Sequence, residues 1–117
     1  MSGVASTPGA LPAVIEQYLG ARRRDAELLD CCFTDDAVIM DRGTLYKGRE
    51  SMLAWQDELA THYPERQFEV MKVLHTKQEG EHAVRVRVTG PFPGGSSMRF
   101  LFRFRVRDER IAALEIS

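Results

Sequence analysis

Leu11, Val14, Ile15, Tyr18 and Leu19 recur at intervals of three and four residues, which places one apolar stripe along a helix starting near Leu11. Gly20 and the run Arg22-Arg23-Arg24 mark its end, where cations suit the carbonyl pole of a helix. Asp25 is placed to cap a short second helix carrying Ala26, Leu28, Leu29 and Cys32. Residues 33–36 read as a turn, and 37–41 as a strand with Ala37, Ile39 and Asp41 on one face. Arg42-Gly43 is a turn signal. Gly48 then precedes a third helical pattern, in which Met52, Leu53, Trp55, Gln56, Leu59 and Ala60 lie to one side, and Pro64 closes it.

Beyond residue 67 the period becomes two. Phe68, Val70, Lys72 and Leu74 oppose Glu69, Met71, Val73 and His75 in one strand. Val84, Val86 and Val88 alternate with Arg85, Arg87 and Thr89 in the next, after a hairpin turn at Gln78-Glu79-Gly80-Glu81. Gly90-Pro91-Phe92-Pro93-Gly94-Gly95 breaks the chain. Met98, Phe100, Phe102, Phe104 and Val106 then alternate with Arg99, Leu101, Arg103, Arg105 and Arg107, and Asp108-Glu109 turns into a last strand over 111–116. Hairpin-length connections favour an antiparallel meander. Helices gathered at the start must cover one face of it, which makes an α+β domain over residues 11–117. Residues 1–10, rich in small side chains, read as a disordered arm.

Composition narrows the function classes. At 117 residues the chain is one domain with enough apolar surface for a core of its own. Sixteen Lys and Arg against seventeen Asp and Glu leave a net charge of −1, which gives no electrostatic case for nucleic acid. No apolar run approaches the roughly 20 residues that span a bilayer, and no signal peptide is expected. Cys31 and Cys32 are adjacent and have no third cysteine to pair with, so reduced thiols in the cytoplasm are expected. His62, His75 and His82 show no metal-ligand spacing, and neither a P-loop nor a dinucleotide fingerprint occurs, so no metal and no cofactor are implied.

The order of elements, with the stretch Phe33-Thr34-Asp35-Asp36-Ala37-Val38-Ile39-Met40-Asp41 and the following Tyr46-Lys47-Gly48-Arg49-Glu50-Ser51-Met52, resembles the SnoaL-like and ketosteroid-isomerase-like branch of the nuclear-transport-factor-2-like superfamily. The resemblance implies a cone-shaped α+β barrel, a curved sheet wrapped by N-terminal helices around an internal apolar pocket. It also implies a homodimer formed through the outer sheet face. In ketosteroid isomerases one Asp is the general base, while a Tyr and a second, protonated Asp hold the oxyanion. Asp41 matches the base and Tyr18 falls near the tyrosine. Phe102 stands where the second acid is expected, a loss that costs on the order of 10² to 10³ in rate for one oxyanion donor.

Asp41, at the end of an apolar strand, reads either as a desolvated proton acceptor or as the first residue of the Asp41-Arg42-Gly43 turn. Tyr18 either donates to a ligand oxygen or is a core tyrosine. Trp55, Phe33, Ile39, Phe100, Phe102 and Phe104 furnish either the wall of a pocket for a flat, apolar ligand or the core between helices and sheet. Arg85, Arg87, Arg99, Arg103, Arg105 and Arg107 lie opposite the apolar faces, as a solvated surface or as an interface paired with Glu69, Glu81 and Glu115. Two functions compete on these grounds. One is an isomerase or lyase of the ketosteroid-isomerase-like or polyketide-cyclase-like kind, acting on a small, largely apolar metabolite. The other is a non-catalytic ligand-binding or dimerisation module.

Overall fold

The computed structural model describes residues 11–20, 31–63, 66–92 and 95–117. The arm expected over 1–10, the Arg22-Arg23-Arg24 run, the Asp25-capped helix and the closing Pro64 lie outside the described residues, as do Pro93 and Gly94. The elements are α1 (Ala13–Gly20), β1 (Phe33–Asp41), β2 (Thr44–Lys47), α2 (Arg49–His62), β3 (Gln67–Leu74), β4 (Glu81–Phe92), β5 (Gly95–Arg107) and β6 (Arg110–Ile116). Among the described residues the strands form one six-stranded sheet in the order β2-β1-β6-β5-β4-β3, curved and unclosed, with the two described helices packed against it. All pairings are antiparallel except β1 with β6, which is parallel.

The apolar periodicities become the core. On α1 the stripe buries Ile15, Tyr18 and Leu19, while the carbonyl of Pro12 accepts from the amides of Ile15 and Glu16 at 3.0 and 3.2 Å and so starts the helical bonding. On α2, Met52, Trp55 and Gln56 are buried. Val84, Val86 and Val88 of β4 face Phe102 and Phe104 of β5 and Leu114 and Ile116 of β6 across the concave side. The arginines that alternate with them point outward.

The sheet departs from the expected meander at four places. Residues 33–36 are not a turn but the start of β1. Phe33 pairs with Ile111, and a register irregularity before Val38 lets both Asp35 and Asp36 face water. The four residues of β2 form a hairpin with β1 across Arg42-Gly43, whose φ values of 49° and 93° meet the positive-φ requirement of a tight two-residue turn. Gly90, Pro91 and Phe92 continue β4 instead of breaking it, with Phe92 pairing Gly95. A bulge between Val70 and Lys72 moves Val73 opposite the buried Val84, reversing the face its alternation implied and leaving Val70 and Met71 exposed.

Candidate functional site

On the concave face, cross-strand partners form rows. The row nearest the closed end is Tyr46, Ile39, Leu114, Phe104. The next is Asp41, Ile116, Phe102, Val84, Val73. Beyond it lie Phe100, Val86, Val70 and then Met98, Val88, Phe68. Asp41, Ile116 and Phe102 of the second row, Phe100 of the third, and Met98, Val88 and Phe68 of the fourth line a cavity of about 280 Å³, to which α1 adds Tyr18 and α2 adds Trp55 and Leu59. Arg42 from the β1–β2 turn, and Tyr63 and Arg66 after α2, complete its lining.

The Asp41 carboxylate sits in this wall with its side chain 10% exposed. Trp55 Nε1–H donates to its Oδ2 at 2.9 Å, and Arg42 Nε–H donates to Oδ1 at 3.0 Å. Two donors, one on each oxygen, fix the plane of the carboxylate while each oxygen keeps a further lone pair. The indole is itself braced by the Tyr46 ring, 6.2 Å away between centroids, which β2 brings over α2. Gly48 allows this arrangement: at φ 88° it turns the chain from β2 into α2, its amide bonding the Ala37 carbonyl at 3.0 Å.

Tyr18 is fully buried and meets Phe33, Phe104 and Phe68 at centroid distances of 5.4, 6.0 and 6.2 Å. Its ring is therefore fixed between the core and the cavity. Arg66 Nη1 donates to the carbonyl oxygens of Leu59 and Tyr63 at 3.2 and 3.3 Å, as a second donor to each, since Leu59 O also accepts from the Tyr63 amide at 2.8 Å and Tyr63 O from the Arg66 amide at 3.2 Å. The Arg66 guanidinium lies 5.6 Å from the centroid of the Phe68 ring, and that of Arg42 lies 5.8 Å from that of Phe100.

Of the residues singled out from sequence, Asp41, Tyr18, Trp55, Phe100 and Phe102 line one cavity. Phe33, Ile39 and Phe104 stand apart from that lining, in the packed core behind it. Arg42, Tyr63, Arg66, Phe68 and Met98 line it without having been named as site residues. Arg42, Tyr63 and Arg66 sit in a turn and a connection, where no period points to them. Phe68 and Met98 were legible only as members of alternating strands. Among the described residues no group of three or more His, Cys, Asp or Glu side chains is placed to hold a metal ion. Cys31 is exposed and Cys32 buried, and neither is in a disulfide. No described helix is long and apolar enough to cross a membrane. On the outer face Arg87 meets Glu69 at 3.5 Å, and Arg103 and Arg105 both meet Glu81 at 3.9 Å.

Residues 14–114 match the family model described as the SnoaL-like domain. Among solved structures, a Sinorhizobium meliloti protein proposed to be a polyketide cyclase is 30% identical, with 92% of this chain and 95% of that one covered and a TM-score of 0.80. A protein from Catenulispora acidiphila with a ketosteroid isomerase-like fold, in complex with trimethylamine, is 16% identical over 92% of this chain and 86% of that one, at a TM-score of 0.75. The Δ5-3-ketosteroid isomerase of a Mycobacterium species is 19% identical over 90% and 89%, at 0.74. No curated protein matches the chain in sequence.

Proposed function

The chain belongs to the SnoaL-like domain family, in the ketosteroid-isomerase-like branch of the nuclear-transport-factor-2-like superfamily, and from that premise we propose that its cavity takes a small, largely apolar metabolite and performs a cofactor-free proton transfer on it. One observation carries this reading: a carboxylate, Asp41, held by an indole N–H and a guanidinium in an otherwise aromatic cavity wall that Tyr18 shares. Asp41 takes a proton from carbon next to a carbonyl, and the Tyr18 hydroxyl donates to the enolate oxygen that forms. Return of the proton to another carbon is an isomerisation. Departure of a β-hydroxyl is a dehydration, and attack of the enolate on a second carbonyl is a ring closure. The ketosteroid isomerase and the proposed cyclase among the neighbours support this range of outcomes, and the neighbour holding trimethylamine supports a small-molecule pocket.

A second reading, ligand binding without catalysis, is favoured by Phe102, an apolar side chain in the wall where the resemblance implies an acid. Exchange of the α-protons of 2-tetralone in D₂O, followed by NMR, separates the two. Wild type is expected to exchange them about 10² to 10⁴ times faster than Asp41→Asn, the usual contribution of a positioned base. Equal rates from two proteins that both bind the ketone would leave only the binding reading.

The proposal extends to assembly and location. The outer face carries Val38, Met40 and exposed Leu45 beside the arginine and glutamate rows, a mixed surface suited to pairing with a second copy. Glu69 and Glu81 already occupy several of its arginines, which argues against nucleic acid as the partner. Two cysteines outside any disulfide fit a reducing cytoplasm.

A further inference from the structure

Arg42 is held twice in the cavity wall. Its Nε–H donates to Asp41 Oδ1 at 3.0 Å, and its guanidinium lies 5.8 Å from the centroid of the Phe100 ring, so a bond and a ring together set its place. Among the described residues neither of its Nη groups donates a hydrogen bond. A guanidinium presents two parallel N–H groups along its Nε edge. Asp41 takes the first through Oδ1 and turns Oδ2 to the Trp55 indole, so the second is not used in a bidentate pair with the carboxylate. An oxygen accepting from that Nη lies beside Oδ1. A carbonyl oxygen comes to the same place when the carbon next to the carbonyl is presented to Asp41, because two bonds separate that carbon from the oxygen. The wall supplies no acid at Phe102, where the resemblance implies the second oxyanion donor.

We propose that Arg42 is a second catalytic donor to the enolate oxygen, taking the part of the acid that Phe102 replaces. The inference rests on the reading of Asp41 as the proton acceptor. In that step the C–H bond breaks, an O–H bond forms on Asp41, and the electron pair passes through the new C=C bond onto the carbonyl oxygen. Negative charge thus leaves the carboxylate for an oxygen beside it. Arg42, bonded through Nε to one and through Nη to the other, stays next to the charge throughout and does not lose its own proton. The carbonyl oxygen has two lone pairs, so it accepts from Arg42 and from the Tyr18 hydroxyl together.

The test has two parts. Arg42→Gln is expected to slow α-proton exchange of saturating 2-tetralone by about 10- to 100-fold, less than the usual 10² to 10³ for an oxyanion donor because the Arg42 side chain is 56% exposed. The second part separates donation to the ligand from support of Asp41. In an Asp41→Asn background the base is gone and an oxygen remains for Arg42 Nε, and bound 2-naphthol, whose naphtholate stands for the enolate, is titrated by its absorption. Adding Arg42→Gln should raise the pH at which it ionises by about one unit. Slower exchange with an unchanged naphthol titration would make Arg42 a support of Asp41 alone and overturn the proposal. Unchanged exchange in Arg42→Gln, with wild type still faster than Asp41→Asn, would overturn it and leave Asp41 as the base. Equal exchange in wild type and Asp41→Asn would overturn that reading and this proposal with it. Should Arg42→Gln not fold, naphthol that ionises in Asp41→Asn at no lower pH than in water overturns the proposal on its own.

Discussion

In a Trp55→Phe variant the core keeps an aromatic ring, but the N–H that reaches Asp41 Oδ2 at 2.9 Å is gone. Both partners lie largely out of water, Trp55 at 3% exposure and the Asp41 side chain at 10%. A hydrogen bond to a charged acceptor contributes about 1.5 to 3 kcal/mol. The smaller ring also gives up apolar burial and its packing on Tyr46, on the order of 1 kcal/mol. The sum, about 3 kcal/mol, should lower the melting temperature of a chain this size by roughly 10 °C. That total cannot separate the bond from the packing, but a double-mutant cycle with Asp41→Ala can. The packing loss occurs with or without the carboxylate, and the Arg42–Asp41 contact is lost with or without the indole, so both cancel in the cycle. Urea unfolding of wild type, both single variants and the double variant at pH 7 should give a coupling of about 1.5 kcal/mol. A coupling within about 0.4 kcal/mol of zero would mean that the indole does not hold the carboxylate, and the account of how the site is positioned would fail.

Two further outcomes are expected. Arg107 Nη2 donates to Asp36 Oδ1 at 2.6 Å and, with the Thr34 hydroxyl at 2.8 Å, holds the Asp36 carboxyl below its ordinary 3.8. Because the folded value is lowered, the contribution to stability is present above 3.8 and is lost as pH falls through the folded value. Arg107→Gln should therefore unfold at lower urea than wild type at neutral pH, with the gap closing as the pH falls below 3.8; a gap unchanged on acidification would contradict the assignment. Light scattering at micromolar concentration should give twice the 13.3 kDa chain mass, and Leu45→Glu, on the exposed outer face, should return it to one. A wild-type monomer there would exclude the outer-face dimer.

Much of this architecture is local and was readable as such. The α1 stripe and the Val and Phe alternations of β4 and β5 each state which side is buried, and the burial of Ile15, Tyr18, Val84, Val86, Phe102 and Phe104 follows them. What stayed hidden is non-local or too short to show a period. The parallel pairing of β1 with β6 joins residues at least 75 positions apart, such as Asp41 and Ile116. β2 has four residues, Thr44–Lys47, fewer than an alternation needs to stand out. Asp35 and Asp36 look like turn residues because two adjacent acids cannot both face water in a regular strand; an irregularity in the register removes that conflict. The bulge before Lys72 works on the same principle, since one inserted residue exchanges the faces of everything after it.

The same reasoning explains why the candidate site was half legible. Alternation tells which face a residue is on, but not how far along the strand the helices press against that face. Ile39 and Phe104 share the concave face with Asp41 and Phe102, yet their row is closed by packing, while the next row opens on the cavity. Depth is set by where α1 and α2 sit, and α2 is placed by the Gly48 turn and by β2. Tyr46 on that unread strand packs on Trp55, and Trp55 holds Asp41. The residue with the clearest chemical signature in the sequence thus depends for its orientation on the segment with the weakest signature. A change at Tyr46 should accordingly reach the carboxylate through the indole without touching it.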